Sequence, residues 1–327
     1  MVDAEAPSPG GAAPVAPVWR PAGRARLGPE AARTCQTSRL MTTRGPSPET
    51  EDASVLAVIS AKGGSGTTAV AANLAGLIAA EARRRVTLVE LDSAGGQLQR
   101  LFRLTAPPLL PSLAALPELS PELLAQAVDP EPGEVTVIAT PSFPPAGTEP
   151  SGLFVQDLLR GLRSVTDTLV LDLGHRLGAV ENAALAEADA VVVVTALSDL
   201  GVHATFGLRA ALADLGVYRV VPVLNRTEAN SDVDPGTVRE ALGREPGVHL
   251  PYDPTVVCAC MNRGLLFVRE HPAAQVTRRL RELAAMLVSM PALAEEGAEP
   301  RRGSHRETGQ AQSRPRPRLF GLLDRAP

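Results

Sequence analysis

Seven consecutive residues, Lys62-Gly63-Gly64-Ser65-Gly66-Thr67-Thr68, have the types and spacing of a phosphate-binding loop. Glycines let such a loop turn tightly and aim successive backbone N–H groups at an anion. A hydroxyl at the position of Thr68 ligates Mg2+. The usual form reads G-x-x-x-x-G-K-[ST], and in that register Thr67 stands where a lysine belongs. Lys62, five positions earlier, is the only lysine in a chain of 327 residues with 32 Lys and Arg in all. Arginine is otherwise used throughout, so the retained lysine asks for a chemical reason.

Two aspartates complete a candidate nucleotide site. Asp92 ends the apolar run "RVTLVELD", and Asp172 lies at the end of "TLVLD". Strand ends that are distant in sequence meet at one rim of a parallel sheet, which would bring both carboxylates to the loop. Carboxylates suit Mg2+, directly or through water, and can orient an attacking water. Capping of the following helix is the alternative reading for each aspartate.

The elements that must position these residues are legible as an alternation. Short β-rich runs at 54–60, 85–91, 134–140, 168–173, 190–197 and 219–224 are separated by helical patterns. Continuous apolar strands mark a parallel sheet covered on both faces. Val70, Leu74, Leu77 and Ile78 form a helical stripe just after the loop, and further helices are expected at 202–216 and 273–288. The expected fold is α/β, an open and mostly parallel twisted sheet with helices on both faces and ligands at the carboxyl ends of its strands. That domain should run from 53 to 291. Residues 1–52 and 292–327, rich in Pro, Ala, Gly and charge, read as disordered tails, the second with a short basic and apolar end.

Composition narrows the class. Net charge is −4 with both signs interspersed, which gives no signature of a nucleic-acid binder. Three cysteines are too few for a disulfide framework, and neither a signal-peptide core nor an apolar run approaching 18 residues is present. A cytoplasmic location is expected. Cys258 and Cys260 form C-x-C, read as buried apolar cysteine rather than cluster ligands. The five histidines have no metal-ligand spacing. His175, three residues after Asp172, is assigned a capping role.

As an ordered set, "AKGGSGTT", "VELDSAGG", "LVLDLG" and "VLNRT" resemble the MinD/ParA superfamily of ATPases with a deviant Walker A loop. Its signature lysine aligns with Lys62, and the resemblance spans about residues 54–288. It implies ATP and Mg2+ as ligands and a homodimer formed on ATP binding, with Lys62 reaching the nucleotide across the interface. It also implies that Gly63, Gly64, Ser65, Gly66, Thr67 and Thr68 cradle the phosphates. Asp92 then orients water, Asp172 is the Walker B acid, Asn225 with Arg226 meets the adenine, and the Pro251 segment flanks it. The threonine at 67 and the stretch "PYDPTVVCACMNRGLLFV" are similar to the CpaE/TadZ branch, associated with placing Flp-type pilus machinery. The 52 residues ahead of the domain are too few for the receiver-like domain that many members of that branch carry. Three functions follow: a dimerisation switch with slow ATP hydrolysis that positions an envelope machine, a partition ATPase that binds DNA, or an ATP-bound scaffold. The arginines of "RRLRELAAML" (278–287) are a modest cluster, which ranks DNA binding second. The end "RPRPRLFGLL" (314–323) joins arginines to an apolar tip suited to peripheral contact with an anionic membrane.

Overall fold

The computed structural model describes residues 53–289, apart from residues 94, 105–106, 129–131, 144–148 and 228–232. The expected tails, Cys35 and the basic end at 314–323 lie outside the described residues.

Seven strands form one sheet: β1 (Ser54–Ile59), β2 (Val86–Glu90), β3 (Val135–Ile138), β4 (Thr168–Asp172), β5 (Ala190–Ala196), β6 (Val220–Thr227) and β7 (Val248–Pro251). Every pairing is parallel and the order is β3-β2-β4-β1-β5-β6-β7. The connections carry the helices α1 (Thr67–Ala82), α2 (Leu98–Leu101), α3 (Leu110–Ala114), α4 (Pro121–Val128), α5 (Gly152–Arg163), α6 (Ala179–Ala186), α7 (Asp199–Asp214), α8 (Pro235–Leu242), α9 (Pro254–Arg263), α10 (Phe267–Glu270) and α11 (Gln275–Val288). The chain leaves central β1 toward β2 and β3 on one side, then fills β4 and crosses to β5, β6 and β7 on the other. The carboxyl ends of β1 and β4 therefore sit where strand order reverses, the place where open α/β sheets bind ligands.

Strand geometry sends successive side chains to opposite faces. Leu56 and Val58 of β1 join a core with α1 and α11, while Val55, Ala57 and Ile59 join a second core with α5 and α6. Expecting only a stripe of buried residues on α1 understates its burial: Val70 through Ala79 are all buried. The run of alanines makes this possible, because small side chains let the sheet and α11 approach from several directions.

All six strands read from the apolar runs are present. The seventh, β7, is only four residues long and alternates in exposure, so it lacks a continuous apolar signal. Among the described residues no helix is long and apolar enough to cross a membrane.

One buried polar residue secures the helix behind the site. Asn73 on α1 is fully buried; its side-chain amide donates to Ala69 O at 2.8 Å, and its Oδ1 accepts from Val268 N at 3.3 Å. Asn73→Ala leaves the Val268 N–H unpaired in the core. Loss of about 1–3 kcal/mol is expected, seen as a lower urea midpoint with an unchanged slope.

Candidate phosphate and metal site

Helix α1 begins without a side-chain cap: Gly66, in the left-handed region at φ 96°, precedes Thr67 and offers no hydrogen-bonding group. By contrast α5, α7, α8 and α9 are capped by Ser151, Ser198, Asp234 and Asp253. The first N–H groups of α1 thus keep the positive end of the helix dipole open to an anion.

Gly66 is required by its neighbour as well as by φ. Asn225 at the end of β6 donates from Nδ2 to Ser65 O at 2.8 Å, and a Cβ on residue 66 would lie 2.5 Å from that nitrogen. The Asn225 amide therefore braces the loop itself, and its Oδ1 accepts from Arg226 N at 2.9 Å. Arg226 sits in a bulge between Asn225 and Thr227 with φ 58°. That strained turn places it beside Lys62, Gly64, Ser65, Ser198 and Tyr252 around a cavity of about 270 Å3. Lys62 is exposed at the lip. Tyr252, half-exposed, lines the cavity next to Pro251, whose strand is held by Thr227 Oγ1 donating to Leu250 O at 3.1 Å.

Thr67 has a different part from the one its position suggests. Its hydroxyl is turned into the protein and donates to Ser60 Oγ at 2.8 Å. Ser60 Oγ is also within reach of Lys62 O at 3.0 Å and Gly174 O at 3.3 Å, and Ser65 Oγ donates to Lys62 O at 2.7 Å. The Thr67 proton is thus engaged below the loop.

Asp172 ends β4 opposite Glu90 of β2 in the parallel register. It is buried; Oδ1 accepts from Gly174 N at 3.3 Å, and Oδ2 is buried without a hydrogen-bond partner. Burial pushes its pKa up to about 6, opposed by the Thr68 hydroxyl and the Gly174 N–H and reinforced by Asp92. Asp92 lies against Gly174 (φ 62°), close enough that a Cβ there would overlap its carboxylate. An unpaired carboxylate oxygen beside Thr68, with a second carboxylate near, suits Mg2+: Thr68 and Asp172 would hold the ion, with Asp92 in reach through water. The ion would neutralise phosphate charge. Among the described residues no group of three or more His, Cys, Asp or Glu forms a metal site by itself, so phosphate oxygens and water must complete the set.

Two further carboxylates hold the segment after Asp92, and sequence reading missed both. Glu90 accepts from Gln97 N at 2.5 Å, Leu98 N at 2.9 Å and Thr140 N at 3.0 Å. Burial, then Asp172, raise it to about 7 against those three donors. Glu181 on α6, also fully buried, accepts from Ser93 N at 3.1 Å and from Gly178 N at 2.9 Å. Gly178 with Glu181 therefore caps α6, which corrects the capping role assigned to His175. Of the two cysteines expected to be buried, only Cys260 is; Cys258 is exposed, because residues two positions apart on α9 face different ways.

No family model and no curated protein matches the chain. Solved structures do. A ParA family ATPase from Chlorobium tepidum TLS aligns with TM-score 0.65 and 22% identity over 71% of this chain and 98% of that one. The septum site-determining protein MinD of Pyrococcus horikoshii OT3, complexed with Mg-ADP, aligns with TM-score 0.58 and 17% identity over 72% and 96%. A Cyanothece McdA variant in complex with ATP aligns with TM-score 0.58 and 15% identity over 75% and 99%. The fold is the seven-stranded parallel α/β fold of ParA and MinD ATPases.

The two raised carboxylates set a pH dependence. Their stabilising effect is fully present below the ordinary values of 3.8 and 4.5 and is lost as pH rises through about 6 and 7. Asp167, held low by Arg85 despite partial burial, acts only below 3.8. In EDTA the melting temperature should therefore fall between pH 5 and pH 8, as stability drops by an amount on the order of a few kcal/mol. Asp172→Asn keeps an acceptor for Gly174 N and should melt above the parent at pH 8. A parent melting curve independent of pH in EDTA would contradict this assignment.

Proposed function

We propose that this chain binds ATP with Mg2+, dimerises in that state, hydrolyses the nucleotide slowly, and so switches its hold on a cell-envelope machine that it positions. The observation that carries the reading is the buried, unpaired Oδ2 of Asp172 beside Thr68, at the foot of an uncapped glycine-rich helix start. Likeness in fold to a MinD with Mg-ADP and to a McdA with ATP supports the choice of nucleotide.

In this reading the backbone N–H groups of Gly63, Gly64, Ser65, Gly66, Thr67 and Thr68 receive the phosphates. Thr68 and Asp172 hold the metal, and Asp92 orients the attacking water. Asn225 keeps the loop in register, while Arg226, Tyr252 and the Pro251 segment border the base. With Thr67 turned inward, the loop has no cation of its own at the β- and γ-phosphates. Lys62, exposed at the lip, supplies one across a homodimer, so tight binding and turnover require two subunits. The threonine at 67 and the stretch from Pro251 to Val268 favour the CpaE/TadZ branch and hence pilus or secretion machinery.

DNA partition is the weaker alternative. Of the α11 arginines, Arg279 is paired with Glu282 at 2.9 Å and Arg281 with Glu81 at 2.6 Å, which leaves less positive charge for a phosphate backbone. Contact of residues 314–323 with an anionic membrane belongs to the same proposal. It requires that full-length protein pellet with anionic liposomes more strongly than a chain ending at 312. Equal pelleting removes that element.

Light scattering tests the switch. A larger species is expected with ATP and Mg2+ than with ADP. Lys62→Arg should abolish that increase and any ATPase activity, because a planar guanidinium does not replace a compact ammonium on a thin stem. Loss of a charge-assisted contact of about 1.5–3 kcal/mol corresponds to a tenfold or larger loss of affinity. Dimerisation and turnover by Lys62→Arg at the parent level would sink this account of the lysine.

A further inference from the structure

We infer that His175 is a γ-phosphate-sensing residue, an in-subunit donor that lets this chain distinguish ATP from ADP. The inference rests on the nucleotide reading above and adds a residue to it.

His175 follows Gly174, whose left-handed backbone (φ 62°) turns the chain sharply at the end of β4. The turn is anchored to the loop: Ser60 N donates to Gly174 O at 3.0 Å, and Ser60 Oγ reaches the same carbonyl. The consequence is that an exposed imidazole stands beside the loop at Gly63. An ideal Cβ on Gly63 would meet Cε1 and Nε2 of His175, each at 3.4 Å. The ring therefore stands over Gly63 at the distance that a methyl group there would just fill.

The direction of the bound nucleotide decides what the ring meets. The roomy end of the site, bordered by Arg226 and Tyr252, takes the base. The metal end is set by Thr68, Asp172 and Asp92. A nucleotide-bound Mg2+ bridges β- and γ-oxygens, so the terminal phosphate belongs at the metal end. His175 is attached to that end, three residues beyond Asp172 and on the side of Gly63. There an imidazole N–H can donate to a terminal phosphate oxygen, in either protonation state of the ring. ADP has no atom at that place. Because Thr67 donates to Ser60, it cannot provide this hydrogen bond from within the loop. Lys62 and His175 then divide the work: the lysine couples the nucleotide to a partner, and the histidine reports the γ-phosphate within one subunit.

The test measures dissociation constants of the full chain for ADP and for a non-hydrolysable ATP analogue, both with Mg2+, using dilute protein so that binding precedes dimerisation. The parent should prefer the ATP analogue. His175→Ala should reduce that preference roughly tenfold, with ADP affinity changed less than about twofold. His175→Gln, which keeps a donor of similar reach, should retain most of the preference. Equal losses for both nucleotides in His175→Ala would make the ring a packing element of the loop and overturn the inference. An unchanged preference would overturn it too. A parent that binds neither nucleotide, even at protein concentrations high enough to dimerise, would instead overturn the nucleotide reading itself, and the sensing role with it.

Discussion

The site depends on negative charge held out of water at the ends of two neighbouring strands. Glu90 and Asp172 are adjacent in register and both almost completely buried, and Asp172 adds to the raising of Glu90. Burial of carboxylates is unfavourable unless donors or cations compensate. The two are compensated differently. Glu90 has three backbone N–H donors, so it acts as a fixed post around which residues 97, 98 and 140 are arranged. Asp172 has a backbone donor at 3.3 Å, the Thr68 hydroxyl beside it, and an oxygen with no partner. The strand pair is thus satisfied on the β2 side and less so on the β4 side, where a proton or a cation in front of Thr68 can compensate the carboxylate. That asymmetry is what the proposed metal site rests on.

The same arrangement links the phosphate loop to the segment after Asp92. Thr67 donates to Ser60, Ser60 reaches Gly174, and Gly174 lies against the Asp92 carboxylate. Beyond Asp92, Glu181 holds Ser93 and Glu90 holds residues 97 and 98. The loop and Asp92 are thus joined by a polar chain that does not pass through the hydrophobic core. Cores transmit strain because they are close-packed, but they have no directional preference. Hydrogen bonds do, which makes this polar chain a better candidate for coupling phosphate occupancy to the position of Asp92.

Much of the fold was legible because a parallel sheet covered on both faces needs uninterrupted apolar strands. "AVVVVTAL" and "TLVLDL" could hardly be anything else. β7 was not legible because Val248–Pro251 is an edge strand, with one face half-exposed and too short for a pattern. Of the site, the loop and the strand-end aspartates were visible, since glycine spacing and acids after apolar runs are local signals. Glu90 and Glu181 were not, for the opposite reason. A glutamate within "VELD" or "AVENAALA" reads as a solvent-facing residue, and only the tertiary structure shows each folded back on backbone N–H groups. For Glu181 a usable clue was present, an acid three residues after Gly178 at a helix start. Asn225 differs again: its type was conspicuous, but its bond to Ser65 O depends on the approach of β6 to the loop.

The single lysine now has a structural context. A cation belongs near the β- and γ-phosphates, and position 67 is where an in-subunit lysine would put it. Position 67 is instead committed inward, and its hydroxyl holds the loop to β4 through Ser60. A lysine at 67 would give up that hydroxyl chain, and with it the link to Gly174 and Asp92. On the proposed function, keeping the link would move the charge requirement to a residue that can reach the phosphates from elsewhere. Lys62 is exposed at the lip on a thin, flexible stem, and arginine, with its rigid fork, is a poorer fit to a crowded phosphate cradle. On the proposed function, an arginine-rich chain has reason to keep one lysine there, because the hydroxyl at 67 is committed to Ser60.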